Sequence, residues 1–325
     1  MNVQYCHMVR AASQPLDPIQ TSQRAMPKKL AGIRAVCFDI YGTLFISGSG
    51  DIGAGVEIPA EQNPSASLEA SLGEVFVGMC GNQSDTGDLV DHLVGRADSG
   101  ESKYRVLGRD LITCLQRKIQ EERTERQQAG IEYPEVEIVK VWRSVAKSIL
   151  KPVTTADTFS DHDFEQLAII YEVRANPVWP MPAATDCIDQ LASANLTLGI
   201  ISNAQFYTPF LFPALMKRTL EELAFAPEMQ YYSYCYGRAK PGEFLYRQAL
   251  AGLKEKGIEP HESLYVGNDM LNDIMPAARA GFRTALFAGD QRSLRLREGD
   301  PRVAGVVPDI IIKDLMSVAD CVLDD

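Results

Sequence analysis

The sequence predicts an α/β protein: a doubly wound parallel sheet with an all-helical segment inserted after its first strand. Three observations carry that expectation. An apolar run near the start of the chain ends in Asp39 and a glycine turn. A stretch without strands follows, from about 64 to 175, in which apolar residues recur at helical spacing. After Pro182, short apolar runs alternate with amphipathic helices, the texture of parallel pairing.

Composition bounds what this chain does. Its 325 residues suit one large domain or two ordinary ones, and an apolar share of 46% with 23% charged residues is typical of a globular protein. A net charge of −11 argues against nucleic acid and anionic membrane surfaces as partners. No apolar run is long enough to cross a bilayer, and the first ten residues lack the apolar core of a secretory signal, so the expected compartment is the cytoplasm. Seven cysteines, an odd number without close spacing, disfavour a disulfide framework and a zinc knuckle. Cys37 and Cys235, in apolar runs, are expected as small core residues. The four scattered histidines form no triad or metal spacing and are expected at the surface.

The elements follow in order. Residues 1 to 30, with Gln, Ser and Pro and no evident period, read as a disordered tail. The first strand covers roughly 33 to 40. The Gly-rich run from Ile46 to Gly55 is either a plain linker or a hinge beside the Asp39 turn. Leu107, Leu111, Cys114, Leu115 and Ile119 make one helical stripe, and Ile138, Trp142, Val145 and Ile149 a second. Ser160 and Asp163 spell a capping box before a third helix. Strands are then expected at Leu196–Ser202, Tyr231–Tyr236, Leu264–Gly267, Thr284–Ala288 and Asp309–Ile312, with helices at Pro209–Leu223, Glu243–Lys256 and about 270 to 280. Residues 31–46 and 181–325 thus build a Rossmann-like core, and 47–180 is its helical insert.

In such a sheet the C-terminal strand ends share one edge, where ligands bind. Asp39 ends the first strand, Ser202-Asn203 another; Lys240-Pro241 follows a third, and Asn268-Asp269 with Asp273 ends a fourth. A carboxylate can form a covalent intermediate, a hydroxyl and an ammonium handle anions, and an acidic pair can hold a hard cation. Each residue also has a plain structural role. Asp39 suits a turn, Ser202-Asn203 a helix cap, Lys240 a surface position before a Pro-started helix, Asp269 an N-cap and Asp273 the helix dipole. One common site explains all of them at once.

Asp39-Ile40-Tyr41-Gly42-Thr43, Ser202, Lys240-Pro241 and the run from Gly267 to Asp273 resemble, in this order, the motifs of the haloacid dehalogenase superfamily of hydrolases. The resemblance covers the sheet domain and places the helical insert where many members carry a mobile cap. It implies Asp39 as nucleophile, Ser202 and Lys240 as catalytic partners, and substrate contacts from Tyr41, Thr43 and Asn203. It implies Mg²⁺ held among Asp39, Tyr41, Asn268, Asp269 and Asp273, the metal position of the last motif being Asn268 or Asp269 according to spacing. Arg143, beside Trp142, is either the cap arginine that binds a substrate carboxylate or a solvated arginine lying off the apolar stripe.

Two departures point in opposite directions. The superfamily's phosphatases usually carry a second Asp where this chain has Tyr41, and that tyrosine resembles the 2-haloacid dehalogenases, as do Ser202-Asn203, Lys240 and Tyr246. The acidic last motif, with Met270 where those dehalogenases have Asn, resembles the phosphatases instead. The reading favoured from sequence is a Mg²⁺-dependent phosphatase of a small phosphorylated, hence anionic, metabolite. A metal-independent 2-haloacid dehalogenase stands second, and a catalytically weak ligand- or partner-binding member third. Neither the substrate nor the oligomeric state is readable.

Overall fold

The computed structural model describes residues 2–49, 66–81, 102–150 and 159–323. Its centre is a parallel six-stranded sheet in the order β5-β4-β1-β6-β7-β8. The strands are β1 (Ala35–Phe38), β4 (Thr197–Ser202), β5 (Phe225–Tyr232), β6 (Ser263–Gly267), β7 (Arg283–Phe287) and β8 (Ile310–Ile312). A two-stranded antiparallel ribbon pairs β2 (Phe45–Ser47) with β3 (Val178–Pro180). This is the expected α/β, Rossmann-like fold with helices flanking a parallel sheet.

The chain lays β4 and β5 on one side of β1 and β6 to β8 on the other, which opens a crevice at the carboxyl end of β1. The register brings the neighbouring strand ends level: Phe38 lies opposite Ile200 on one side and Val266 on the other. Both faces of β1 are covered, as a near-continuous apolar run in a parallel sheet requires. Val36 and Phe38 join one core cluster with Ile200 and Val266. Ala35 and Cys37 join another with Ile201, Tyr265 and Leu253.

Helices Ala66–Gly81, Lys103–Gln128, Ile138–Leu150 and Asp161–Ala175 form a third body around Leu72, Leu111, Trp142, Val145 and Phe164. The stripes expected on these helices are buried there except for half-buried Ile149, and Ser160 and Asp163 close the capping box. Residues 50–55 of the Gly-rich run and His92 lie outside the described residues. No described helix is long and apolar enough to cross a membrane.

Three expectations are corrected. The first thirty residues are not an aperiodic tail. Asn2 accepts from the Gln4 N–H and caps a helix, Val3–Ala12, whose Tyr5, Cys6 and Val9 are buried on one face. Tyr5 packs edge-on against Phe206 and Phe210 and hydrogen-bonds Glu165 and His162, the latter at 2.7 Å. Met26 then bridges Ile311 on the edge strand β8, with N–H to O distances of 2.8 and 3.3 Å.

The helix expected over Pro209–Leu223 is only a 3₁₀ turn at Thr208–Phe210 and a π turn at Phe212–Met216. Pro209 and Pro213 lack the N–H that the helical ladder needs. Finally, β5 ends at Tyr232, and Ser233–Tyr236 is a helical turn that leaves Cys235 exposed rather than in the core. Ser233 leaves the ladder because its hydroxyl donates to Glu135 at 2.7 Å and accepts from the Ala204 N–H at 2.9 Å.

Candidate active site

Asp39 extends the β1 ladder by one residue, its N–H donating to the Val266 carbonyl at 2.9 Å. Beyond it the chain must turn sharply. Gly42, at φ +83°, makes the turn, and a Cβ there would lie 2.6 Å from the Ser293 Cβ and 2.7 Å from the Asn268 Nδ2. Only glycine permits both that conformation and that approach.

Lys240 reaches into the crevice from the loop after β5. Its Nζ donates to Asp39 Oδ1 at 2.7 Å and to Asp273 Oδ1 at 2.5 Å. Tyr265 completes the cluster: its hydroxyl lies 3.1 Å from that Nζ, 3.0 Å from Asp273 Oδ1 and 2.9 Å from the Ile201 carbonyl. Asn203 holds the lysine's backbone on both sides, accepting from the Lys240 N–H at 2.7 Å and donating to its carbonyl at 3.3 Å. Asp273 Oδ2 accepts the N–H groups of Asn268 and Asp269, both at 3.0 Å. The missing side chain of Gly267 makes room for it, since a Cβ there would meet the Asp273 Cβ at 2.5 Å.

Two carboxylates thus share one ammonium in a buried cluster. Burial opposes the charge on Lys240, but Asp273 and then Asp39 outweigh it and raise its pKa. Burial raises the Asp273 carboxyl to about 7, and the Asp39 charge adds to that effect while Lys240 offsets part of it. Among the described residues no hydrogen bond forms to Asp39 Oδ2, and the Asp39 side chain remains 9% exposed. The cluster therefore presents one free carboxylate oxygen, with a cation on its other oxygen, at the mouth of the sheet crevice.

The remaining expected residues divide. Thr43 joins the site, donating to Asn268 Oδ1 at 3.1 Å. Ser202 stands at the end of β4, fully buried, its hydroxyl donating to the Asn203 carbonyl at 3.1 Å. Asn203 brackets the backbone of Lys240. Tyr41 turns its ring into the core and pairs its hydroxyl with Thr208 Oγ1 at 2.9 Å. Burial, then the nearby Glu172 charge, push that phenol well above its usual pKa. Tyr246 hydrogen-bonds the Asn272 carbonyl at 2.8 Å and so clamps the acidic loop from beneath.

Among the described residues no contact brings Arg143 to Asp39. Its guanidinium pairs with Asp161, donates to the Phe159 carbonyl at 3.4 Å and covers the Phe164 ring at 4.8 Å. Three partners within the helical body hold Arg143.

Asp269 has partners of its own. Its carboxylate caps the following turn through the N–H groups of Leu271 and Asn272, at 2.8 and 3.2 Å. Arg297 forks the same carboxylate, Nε to Oδ1 at 3.1 Å and Nη2 to Oδ2 at 2.5 Å. The side chain beside Thr43 and Gly42 is instead the neutral Asn268, whose amide donates to the Ser293 carbonyl at 2.6 Å.

These contacts test the expected Mg²⁺ site. Magnesium needs hard, preferably anionic oxygen ligands in near-octahedral array. Asp273 is saturated by Lys240, Tyr265 and two backbone donors, Asp269 is neutralised by Arg297, and the Tyr41 hydroxyl faces Thr208. Of the expected side chains, Asp39 and an uncharged, tethered amide remain, and among the described residues no group of three or more His, Cys, Asp or Glu side chains could hold a metal ion. This charge-poor set of side chains disfavours Mg²⁺.

Tyr265, Arg297 and Ser293 were missed by the sequence reading. Tyr265 carries a weak signal, a polar-tipped ring in an otherwise apolar strand. Arg297 and Ser293 carry none, being loop residues far along the chain. Their segment reaches the site because the Arg295 N–H bonds the Asn268 carbonyl at 3.0 Å and the Met270 N–H bonds the Arg295 carbonyl at 2.8 Å.

A family model described as a hydrolase, haloacid dehalogenase-like hydrolase, matches residues 33–281. Among solved structures, a 2-haloacid dehalogenase from Pseudomonas syringae pv. Tomato DC3000 aligns with a TM-score of 0.50 at 16% identity, over 89% of this chain and 97% of the other. A HAD phosphatase from Thermococcus onnurineus aligns with a TM-score of 0.45 at 16% identity, over 89% and 97%. At such identity the first likeness concerns the fold alone. No curated protein matches the sequence.

Proposed function

This chain belongs to the haloacid dehalogenase-like hydrolases, and from that premise we propose that it works without a metal, using Asp39 to displace halide from a small 2-haloacid. The observation that carries this reading is the Arg297–Asp269 ion pair, which removes the one carboxylate of the last motif not already spent on Lys240.

Asp39 Oδ2 attacks the halogen-bearing carbon, the carbon–halogen bond breaks and halide departs. An aspartyl ester remains. Water then cleaves the ester, releasing the 2-hydroxy acid and restoring the carboxylate. Lys240 keeps Oδ1 paired and oriented, and it lends positive charge to the negative centre that forms during ester cleavage. Halide leaves without a proton. An alkoxide leaving a phosphate monoester does not leave readily without one, and general acid catalysis there is worth roughly 10²- to 10⁴-fold. Tyr41 stands where such an acid is expected and is turned into the core, which also supports the dehalogenase reading.

The test is turnover of 2-chloropropionate, followed as chloride release in EDTA and again in added Mg²⁺. Equal rates in both support the proposal. Hydrolysis of an aryl phosphate that depends on added Mg²⁺, with no chloride release, would overturn it in favour of the phosphatase. Binding without turnover on either substrate would favour the catalytically weak member.

A further inference from the structure

A cavity of about 420 Å³ lies behind the loop that carries Lys240, outside the crevice described above. Arg238, Arg247, Arg279 and Arg302 line it, together with Glu132 and Glu243. Four guanidinium groups against two carboxylates give it a positive balance in a chain whose net charge is −11. Arg247 pairs with Glu243 and Arg302 with Asp300. Arg238 and Arg279 are exposed and form no ion pair among the described residues; Arg238 rests on the Phe244 ring at 5.2 Å. The cavity also takes in Gly242, Glu243 and Phe244, the start of helix Phe244–Glu255, whose first turn has no side-chain cap. Planar guanidinium forks beside an uncapped helix start suit the several oxygens of a phosphate.

We propose that this cavity is a second, non-catalytic site for a small phosphate-bearing polyanion, and that its occupancy rigidifies the Lys240 loop. Ala239 and Pro241, which flank Lys240, form part of its wall, as does Tyr133. The Ala239 N–H bonds the Tyr133 carbonyl at 2.8 Å, and Pro134 bridges Arg238, so one ligand would touch both the loop and the segment leading into the helical body.

Inorganic pyrophosphate is the probe, titrated calorimetrically into the full chain at low salt. Saturable binding is expected, with the Arg238→Gln/Arg279→Gln double variant weakened by roughly tenfold or more, since each lost contact is a charge-assisted hydrogen bond. Both residues are exposed, so the fold should survive, as thermal unfolding would check. An Arg218→Gln/Arg283→Gln control, which removes two charges elsewhere, should bind like the wild type. Hydrogen exchange across 237–243 should slow when pyrophosphate is bound. Absence of saturable binding, equal loss in the control variant, or undiminished affinity in the double variant would each overturn the proposal. Unchanged exchange in that segment would overturn its second half.

Discussion

Arg297 and Asp269 form a two-point ion pair that seals the last acidic motif, with the carboxylate 8% and the guanidinium 31% exposed. Two oxygens that sequence alone offers to a cation are taken by a side chain of the same molecule. The wild type is therefore expected to show no Mg²⁺ binding in the millimolar range. Arg297→Gln, which unpairs Asp269, should acquire a weak Mg²⁺ affinity, read by calorimetry. Tight Mg²⁺ binding by the wild type would show that the ion pair does not close the site.

Asp39→Asn should reduce turnover by at least about 10³-fold while leaving the thermal midpoint within a few degrees of wild type. The amide is a poor nucleophile but keeps a hydrogen-bonding oxygen for Lys240. Halide release at the wild-type rate would exclude the covalent mechanism.

Lys240→Met should destabilise the fold by about 3–5 kcal/mol at pH 8, because it leaves two buried carboxylates facing each other without a cation. Urea unfolding measures it. A change below about 1 kcal/mol would mean that the cluster opens to water.

The Asp273 carboxyl sits at about 7 in the folded chain against 3.8 for an unperturbed aspartate. Its folded value is the higher, so between these values the native state binds more protons than the unfolded one. Its contribution to stability is complete below about 4 and is lost as pH rises through about 7. Wild type minus Asp273→Asn stability, from urea midpoints, should therefore fall between pH 5 and pH 8. A difference that rises over that window would reverse the assignment.

Gly42→Ala should cost about 1–3 kcal/mol in stability and lower turnover, because the new Cβ meets both Asn268 and Ser293 at a left-handed φ. An unperturbed thermal midpoint would contradict the close approach.

Tyr5→Ala should destabilise the protein by about 3–5 kcal/mol, the usual cost of removing a buried aromatic. The outcome distinguishes a docked N-terminal helix from a tail, since truncating a tail residue would leave the urea midpoint unmoved.

Part of this was legible in the chain. The apolar run into Asp39, the glycine at position 42 and the strand-helix alternation after Pro182 are local signals, set by burial and backbone sterics, and the sheet is built on them. Tyr5 and Val9, four residues apart behind Asn2, also carried a helix signal, weakened by the polar residues that follow. Pro209 and Pro213, which cannot donate to a helical ladder, mark a broken helix in the sequence itself.

The sequence by itself determined which strands end in reactive groups and that Asp39 and Lys240 meet, because parallel register brings strand ends to one edge. Tertiary structure alone decided what the two carboxylates of the last motif face. A buried charge must find a counter-charge, and that partner is set by how loops pack rather than by spacing along the chain. Asp273 found Lys240 and Asp269 found Arg297, a pairing that no local pattern encodes.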